Sequence, residues 1–481
     1  MKKLSITRRD FLFTTAVPLV VNPFAEGAPY NAMGERIGEV TESTAIVHTR
    51  LTAYAERNNS GYVFRNAVRS MPHDKLPRMP EGMRVDDLEG ACPGKAGRVR
   101  LHYSTRRDLS RAQTTRWFDV GPDNDFTHRF NLTGLRPYTR YWFAVEMKPA
   151  TGDESRRGET GTFRTAPRAR DWRPIRFCAS TCQHFLTRDD PKGYLSYLAM
   201  RRLDPDFTAM IGDNVYYDSE PPIASTVELA RHFWHRTYSL PSLVDYYRNT
   251  PGYWTKDDHD VLKDDCWPGV DPGIMAPMTF EDGLRIFGEQ VPIGDPPYRR
   301  FRWGRGLEIW LTEGRDFRSP NNAPDSAAKS IWGETQKAWL KKTILESDAD
   351  FRILISPTPI VGPDRRNKRD NHSNDSFGVE GREFRQWAKD NRLDNFFVIC
   401  GDRHWQYHSV DPVSGMQEFS VGAMSDGQAG GSPGEDKRFH RFHRVKGGFL
   451  SVELTGDRRN PRLEFRFHDV KGEIVYRHST S

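Results

Sequence analysis

Five short segments gather the residue types from which metal and phosphate chemistry is built. Ser180-Thr181-Cys182-Gln183 offers a thiol, and Gly212-Asp213-Asn214-Val215-Tyr216 offers a carboxylate and a phenol. Asp257, Asp258, His259, Asp260, Asp264 and Asp265 form an acidic run around one histidine. Arg315 and Arg318 stand close together, and Gly401-Asp402-Arg403-His404 adds a carboxylate and an imidazole. Carboxylates at this density repel one another, and burying several of them ionised and unpaired is prohibitive, so solvent or a cation must compensate them. Oxygen ligands suit hard cations, whereas imidazole, phenolate and thiolate suit a transition metal such as iron. The mixture predicts a site with more than one metal.

Segments so far apart in the chain meet only where a fold brings strand ends together. After Pro167 the sequence runs in short apolar stretches that end in these polar clusters: Ile175 to Ala179, Phe207 to Ile211, Glu308 to Leu311, Phe351 to Ile355 and Phe396 to Cys400. They read as buried strands. Helical segments lie between them, such as Tyr194 to Leu203 and Glu334 to Leu345, the latter placing Trp339, Leu340 and Ile344 on one face. Alternation of this kind is α/β, with chemistry at the carboxyl ends of the strands.

From Ile37 to about Pro167 the period is two, as in Val99, Leu101 and Tyr103 alternating with Arg100, His102 and Ser104, which predicts an all-β sandwich. Leu132-Thr133-Gly134-Leu135-Arg136-Pro137-Tyr138-Thr139-Arg140-Tyr141 resembles the corner of a fibronectin III-like sandwich, with Tyr141 tying back to backbone. Residues 55–98 fit neither period and read as an irregular, solvated insertion.

The chain has 481 residues, a hydrophobic fraction of 36% and 39 Gly, enough for two or three domains and too apolar for extended disorder. Net charge is 71 − 65 = +6 without a basic block, which argues against nucleic acid as an obligate partner. No apolar run reaches the ~18 residues of a spanning helix. Five cysteines argue against a disulfide framework, and Cys178 and Cys400 sit inside apolar runs as packed thiols. Thr7-Arg8-Arg9-Asp10-Phe11-Leu12, followed by a modest apolar stretch and the small residues Ala25, Gly27 and Ala28, resembles a twin-arginine export signal. The expected division is a signal over 1–28, the sandwich over 29–170 and a catalytic domain over 171–481. The protein would be exported by the twin-arginine machinery to the periplasm, cell surface or medium.

The ordered set Ser-Cys-Gln, Gly-Asp-Asn-Val-Tyr, Asp-Asp-His-Asp, Arg-Asp-Phe-Arg-Ser, Gln336-x-x-Trp339-Leu340 and Gly-Asp-Arg-His resembles the PhoD-type alkaline phosphatases of the calcineurin-like metallophosphatase superfamily. The resemblance extends over most of the chain and takes in Asp375-Ser376-Phe377-Gly378 through Arg382. It implies an α/β metallophosphatase domain of two packed mixed β-sheets flanked by helices, behind a fibronectin III-like sandwich. Cys182, Asp213 and Tyr216 would hold Fe3+, with Asp213 bridging toward Ca2+, while Asp257, Asp264, Asp402 and His404 would hold the calcium part. Arg315 and Arg318 would bind substrate phosphate, and with Asp402 and His404 form the catalytic set. Asp258, His259 and Asp260 serve equally as ligands or as supports and stay outside that set. The implied activity is in-line attack of metal-activated hydroxide on a phosphate ester, by an alkaline phosphatase acting on monoesters. The alternatives are a phosphodiesterase or phospholipase D-like enzyme on the same metals and, in another class, a catalytically silent surface binding protein.

Three positions depart from the family pattern. Lys256 replaces a Trp, Glu313 an Asp, and Asp264 stands where the family has an Asn ligand. The last adds a negative charge, which should raise divalent-ion affinity and weaken attraction of a dianionic monoester.

Overall fold

Alternate residues of each buried strand face different cores. Phe177 and Ala179 point into one apolar cluster while Cys178 points into another; Ile309 and Leu311 oppose Trp310, and Ile353 and Ile355 oppose Leu354. A strand covered on both faces needs an unbroken apolar run, which explains the sequence pattern. The computed structural model describes residues 27–64 and 75–480. The twin-arginine stretch Thr7 to Leu12 lies outside them. Among the described residues no helix is long and apolar enough to cross a membrane.

Two sheets pack face to face through a core that includes Phe177, Tyr253, Trp303, Phe397, Phe419 and Phe465. One has nine strands, the other seven. In the first, Ile175–Ser180, Phe207–Ile211 and Gly252–Thr255 run parallel. In the second, Leu307–Leu311, Phe351–Ser356, Phe396–Cys400 and Gln417–Val421 do. Helices cover the outer faces: Val227–Tyr238 and Phe280–Gln290 on one side, Gly333–Glu346 and Gly378–Asp390 on the other. Side-chain caps start the first two, with Thr226 accepting from the Leu229 N–H at 3.2 Å and Thr279 from the Asp282 N–H at 3.1 Å. This is the two-sheet α/β arrangement expected.

The N-terminal strands form a sandwich around Val47, Leu101, Phe143 and Phe163. Tyr141 closes its corner, its hydroxyl accepting from the Arg136 N–H at 2.9 Å. One layer of this sandwich is continuous with the catalytic sheet, because Arg36–Gly38 pairs in parallel with Gly252–Thr255. Glycine is required on both sides of the splice: a Cβ on Gly38 would strike the Pro292 carbonyl, and one on Gly252 the Trp254 ring. A buried network also ties the two regions. Asp125 accepts from Arg50 at 2.8 Å and Gln290 at 2.6 Å, and meets His235 Nε2 at 2.5 Å.

The insertion read as solvated packs against the catalytic domain instead. Leu76, Leu88 and Cys92 enter the core under Val227–Tyr238, and Arg57 donates to the Arg236 carbonyl at 2.9 Å. Its few apolar residues are too widely spaced to show a period, so composition alone reads as solvent-exposed.

Candidate metal centre

The carboxyl ends of the parallel strands of both sheets converge, as α/β architecture demands. Cys182 follows Ile175–Ser180, Asp213 follows Phe207–Ile211, Asp257 follows Gly252–Thr255 and Asp402 follows Phe396–Cys400. Cys182, Asp213 and Asp402 all adopt left-handed backbone, with φ of 55°, 53° and 62°. Such conformations cost a non-glycine residue free energy and persist where surrounding structure enforces them.

The inner part of the site is Cys182, Asp213, Tyr216 and His404. Cys182 Sγ donates to Asp213 Oδ2 at 3.3 Å, the Tyr216 hydroxyl donates to the same oxygen at 2.9 Å, and His404 Nε2 lies 3.4 Å from that hydroxyl. Metal-ligating atoms of Cys182, Asp213 and His404 lie within 4.8 Å of one another. Burial pushes the Cys182 thiol, the Asp213 carboxyl and the Tyr216 phenol well above their ordinary pKa values, and the Asp213 charge raises its two neighbours further. Asp213 Oδ1 is buried and makes no hydrogen bond. A bound cation answers both observations: it would fill the orphaned oxygen and restore the ionised forms.

The outer part is a carboxylate cluster. Atoms of Asp258, Asp264 and Asp265 lie within 4.8 Å of one another, as do those of Asp213, Asp258 and His259. Asp257 Oδ1 accepts from Arg315 Nε at 2.6 Å, while its Oδ2 is buried without a hydrogen bond. Burial raises Asp257 to about 6 against the pull of Arg315. For Asp258 burial pushes the same way, but Arg315, His259 and Lys368 outweigh it and hold the carboxyl down. Asp264 is half exposed and sits 3.3 Å from Lys368 Nζ, which also meets Asp265 at 2.5 Å.

A cavity of about 270 Å³ opens here, bordered by His259, Asp264, Asp402 and His404 and by the cations Arg365 and Lys368. Arg315 and Arg318 do not border it. Arg315 is fully buried on Asp257 and the Cys266 carbonyl at 3.1 Å, and Arg318 donates to the Asp370 carbonyl at 2.6 Å. Cys182, Asp213, Tyr216 and Asp257 lie deeper than the cavity wall.

Several contributors escape sequence reading. Gln428 Nε2 lies 3.2 Å from the Tyr216 hydroxyl and 3.3 Å from His404 Nε2. Asp218 holds His259 Nδ1 at 2.6 Å. Asp260, which the sequence offered equally as ligand or support, works on backbone, accepting from the N–H groups of Asn214, Val215 and Asp257 at 2.7, 3.0 and 3.0 Å, and so fixes the Asp213 and Asp257 loops together. The acid-base mixture from Asp364 to Asp370 was a legible signal for a charged loop, but nothing in the sequence places it over the site.

Two of the family departures meet. Lys256 Nζ lies 3.3 Å from Glu313 Oε2, both buried, and 3.0 Å from Asp316. Glu313 in turn accepts from the Arg315 N–H at 2.8 Å. The two changes form one ion pair behind the arginine that grips Asp257.

Two packed sheets with thiol, carboxylate and imidazole groups able to hold a metal at their strand ends define a metallophosphatase fold. The solved structure described as "Structure of PhoD" shares it at a TM-score of 0.69 and 15% identity, covering 94% of this chain and 88% of that one. The purple acid phosphatase PPD1 from yellow lupin (Lupinus luteus) seeds shares it at 0.61 and 11% identity, covering 92% and 73%. No curated protein sequence matches the chain. The family described as PhoD-like phosphatase matches residues 177–478, and PhoD-like phosphatase, N-terminal domain, matches 23–167. The chain belongs to the PhoD-like phosphatase family and is a metal-dependent phosphoric ester hydrolase.

Proposed function

We propose that the protein is an exported alkaline phosphatase that cleaves phosphate monoesters at an iron–calcium centre. The observation that carries this reading is Asp213, whose unpartnered Oδ1 is buried beside a thiol, a phenol and an imidazole. Cys182, Asp213 and Tyr216 suit Fe3+, and Asp257, Asp264, Asp402 and His404, with Asp258 in reach, suit Ca2+. Bound there, the metals would supply a nucleophile at moderate pH and charge to stabilise the leaving oxygen.

The chain's own residues do the positioning. Asp260 locks the Asp213 and Asp257 loops, and Arg315 turns Asp257 so that one oxygen is held and the other presented. Lys368 offsets the charge that Asp264 adds, which keeps the cavity open to a dianion. Asp402 and His404 line the same cavity from the opposite sheet. Export by the twin-arginine route is supported by Thr7-Arg8-Arg9-Asp10-Phe11-Leu12, and replacing Arg8 and Arg9 by Lys should leave active enzyme in the cytoplasm.

The test is hydrolysis of a chromogenic phosphate monoester against the matching diester, with and without chelator. Chelator-sensitive turnover of the monoester in preference to the diester supports the proposal. Preference for the diester would transfer the assignment to phosphodiesterase, and cleavage of neither by metal-loaded protein would overturn it.

A further inference from the structure

The cations expected to meet substrate phosphate, Arg315 and Arg318, lie behind the cavity wall. Of the two that border it, Lys368 is committed to Asp264, Asp265 and, at 3.6 Å, Asp370. Arg365 is differently placed. Its Nε makes no hydrogen bond and stands 3.5 Å from Asp364 Oδ1. The other oxygen of Asp364 is taken by Arg403 at 2.8 Å and Asn371 at 2.9 Å. The Arg365 guanidinium reaches toward the Gly430-Gly431 turn across the cavity rim. A Cβ on Gly431, whose φ is 76°, would lie 3.5 Å from its Nη1.

A second donor borders the same cavity. Trp405 is 1% exposed, yet its indole Nε1 has no hydrogen-bond partner. Two guanidinium groups lie near its ring, Arg365 at 5.9 Å and Arg403 at 5.8 Å from the centroid. A buried N–H without an acceptor is costly, and in native proteins such a group points to a missing partner. Arg366 and Arg369, both exposed on the loop that carries Arg365, add positive charge at the entrance.

We propose that Arg365 and Trp405 form an oxyanion-binding subsite in the roof of the cavity that takes the phosphoryl oxygens of the substrate. A planar guanidinium matches phosphate bidentately, and the indole N–H supplies one further neutral donor. This deepens the monoesterase reading and rests on it for the identity of the ligand. Lys368 prevents Asp264 from cancelling its charge.

The experiment uses the metal-loaded full chain. Affinity for inorganic phosphate is measured by calorimetry, and KM and kcat with a chromogenic monoester, for wild type, Arg365→Gln, Arg365→Lys and Trp405→Phe, with metal content determined for each. Arg365→Gln should weaken phosphate binding and raise KM about tenfold, the loss of one charged bidentate contact, with metal content unchanged. Arg365→Lys should recover part of that, and Trp405→Phe, which keeps the ring and removes the N–H, should cost about threefold. Wild-type phosphate affinity and KM in Arg365→Gln, or a loss that only follows metal loss, would overturn the subsite. Phosphate binding that depends on Arg365 in a protein that cleaves no monoester would instead sink the functional reading and leave the subsite standing.

Discussion

Around Asp213 the neighbours are a thiol, a phenol and the imidazoles of His404 and His259, and among the described residues no lysine or arginine pairs with it. One strand further along the sheet, Asp257, Asp258, Asp264 and Asp265 are threaded with basic side chains, Arg315 on the first two and Lys368 on the last two. Both regions are rich in acid, yet only the second is substantially neutralised by the protein itself. The inner region therefore depends on a cation to hold its thiol, carboxyl and phenol ionised, whereas the outer can keep its geometry when its ion is absent. Composition did not distinguish them; the placement of two basic residues does.

The largest effect should come from the inner side. Asp213→Asn removes the oxygen shared by the thiol and phenol, and turnover of a monoester should fall more than about a thousandfold while circular dichroism stays native. Asp402→Ala, across the cavity, should behave in the same way. On the neutralised side, Lys256→Met strands Glu313 in the interior and should lower unfolding free energy by about 3 kcal/mol, read by denaturant titration. Adding Glu313→Gln should restore most of that loss, because the penalty belongs to the unpaired charge. If Lys256→Met is as stable as wild type, the outer region is not held by this pair.

A smaller effect is expected at Asp264. Asp264→Asn leaves Lys368 paired to Asp265 and removes one negative charge from the rim, so KM for a dianionic monoester should fall about threefold with little change in stability. The sandwich supplies a contrast far from either metal region. Burial would raise Glu146, but hydrogen bonds from Arg100, Ser155 and His102 outweigh it and lower its pKa from 4.5 to about 2. A depressed carboxylate contributes stability above its unfolded pKa and loses it as pH falls through the folded one. Wild type should thus lose stability between about pH 4.5 and 2 by an increment that Glu146→Gln lacks.

Much of this architecture was legible because buried strands must be apolar throughout. Phe207 to Ile211 and Phe396 to Cys400 were read with the observed bounds, and the helix read over Glu334 to Leu345 spans Gly333–Glu346. The strand-end clusters followed from the same logic. What could not be read were relations between distant segments: the Gly38–Gly252 splice that merges sandwich and catalytic sheet, the Lys256–Glu313 pair, and the docking of the 363–370 loop over Asp264. The helices Val227–Tyr238 and Pro241–Asn249 were missed because His, Arg and Tyr share their buried faces with apolar residues and blur the 3.6-residue period. Arg315 and Arg318 were recognisable as a pair, but their depth depends on Asp257 and Asp370, which no spacing reveals.

The most direct test is elemental analysis of Asp213→Asn and Asp264→Asn beside wild type, all prepared with iron and calcium. Dependence of the inner region on a cation predicts that Asp213→Asn loses its transition metal, whereas Asp264→Asn retains it and loses at most the outer ion. Wild-type metal content in Asp213→Asn, or equal loss from both variants, would contradict it.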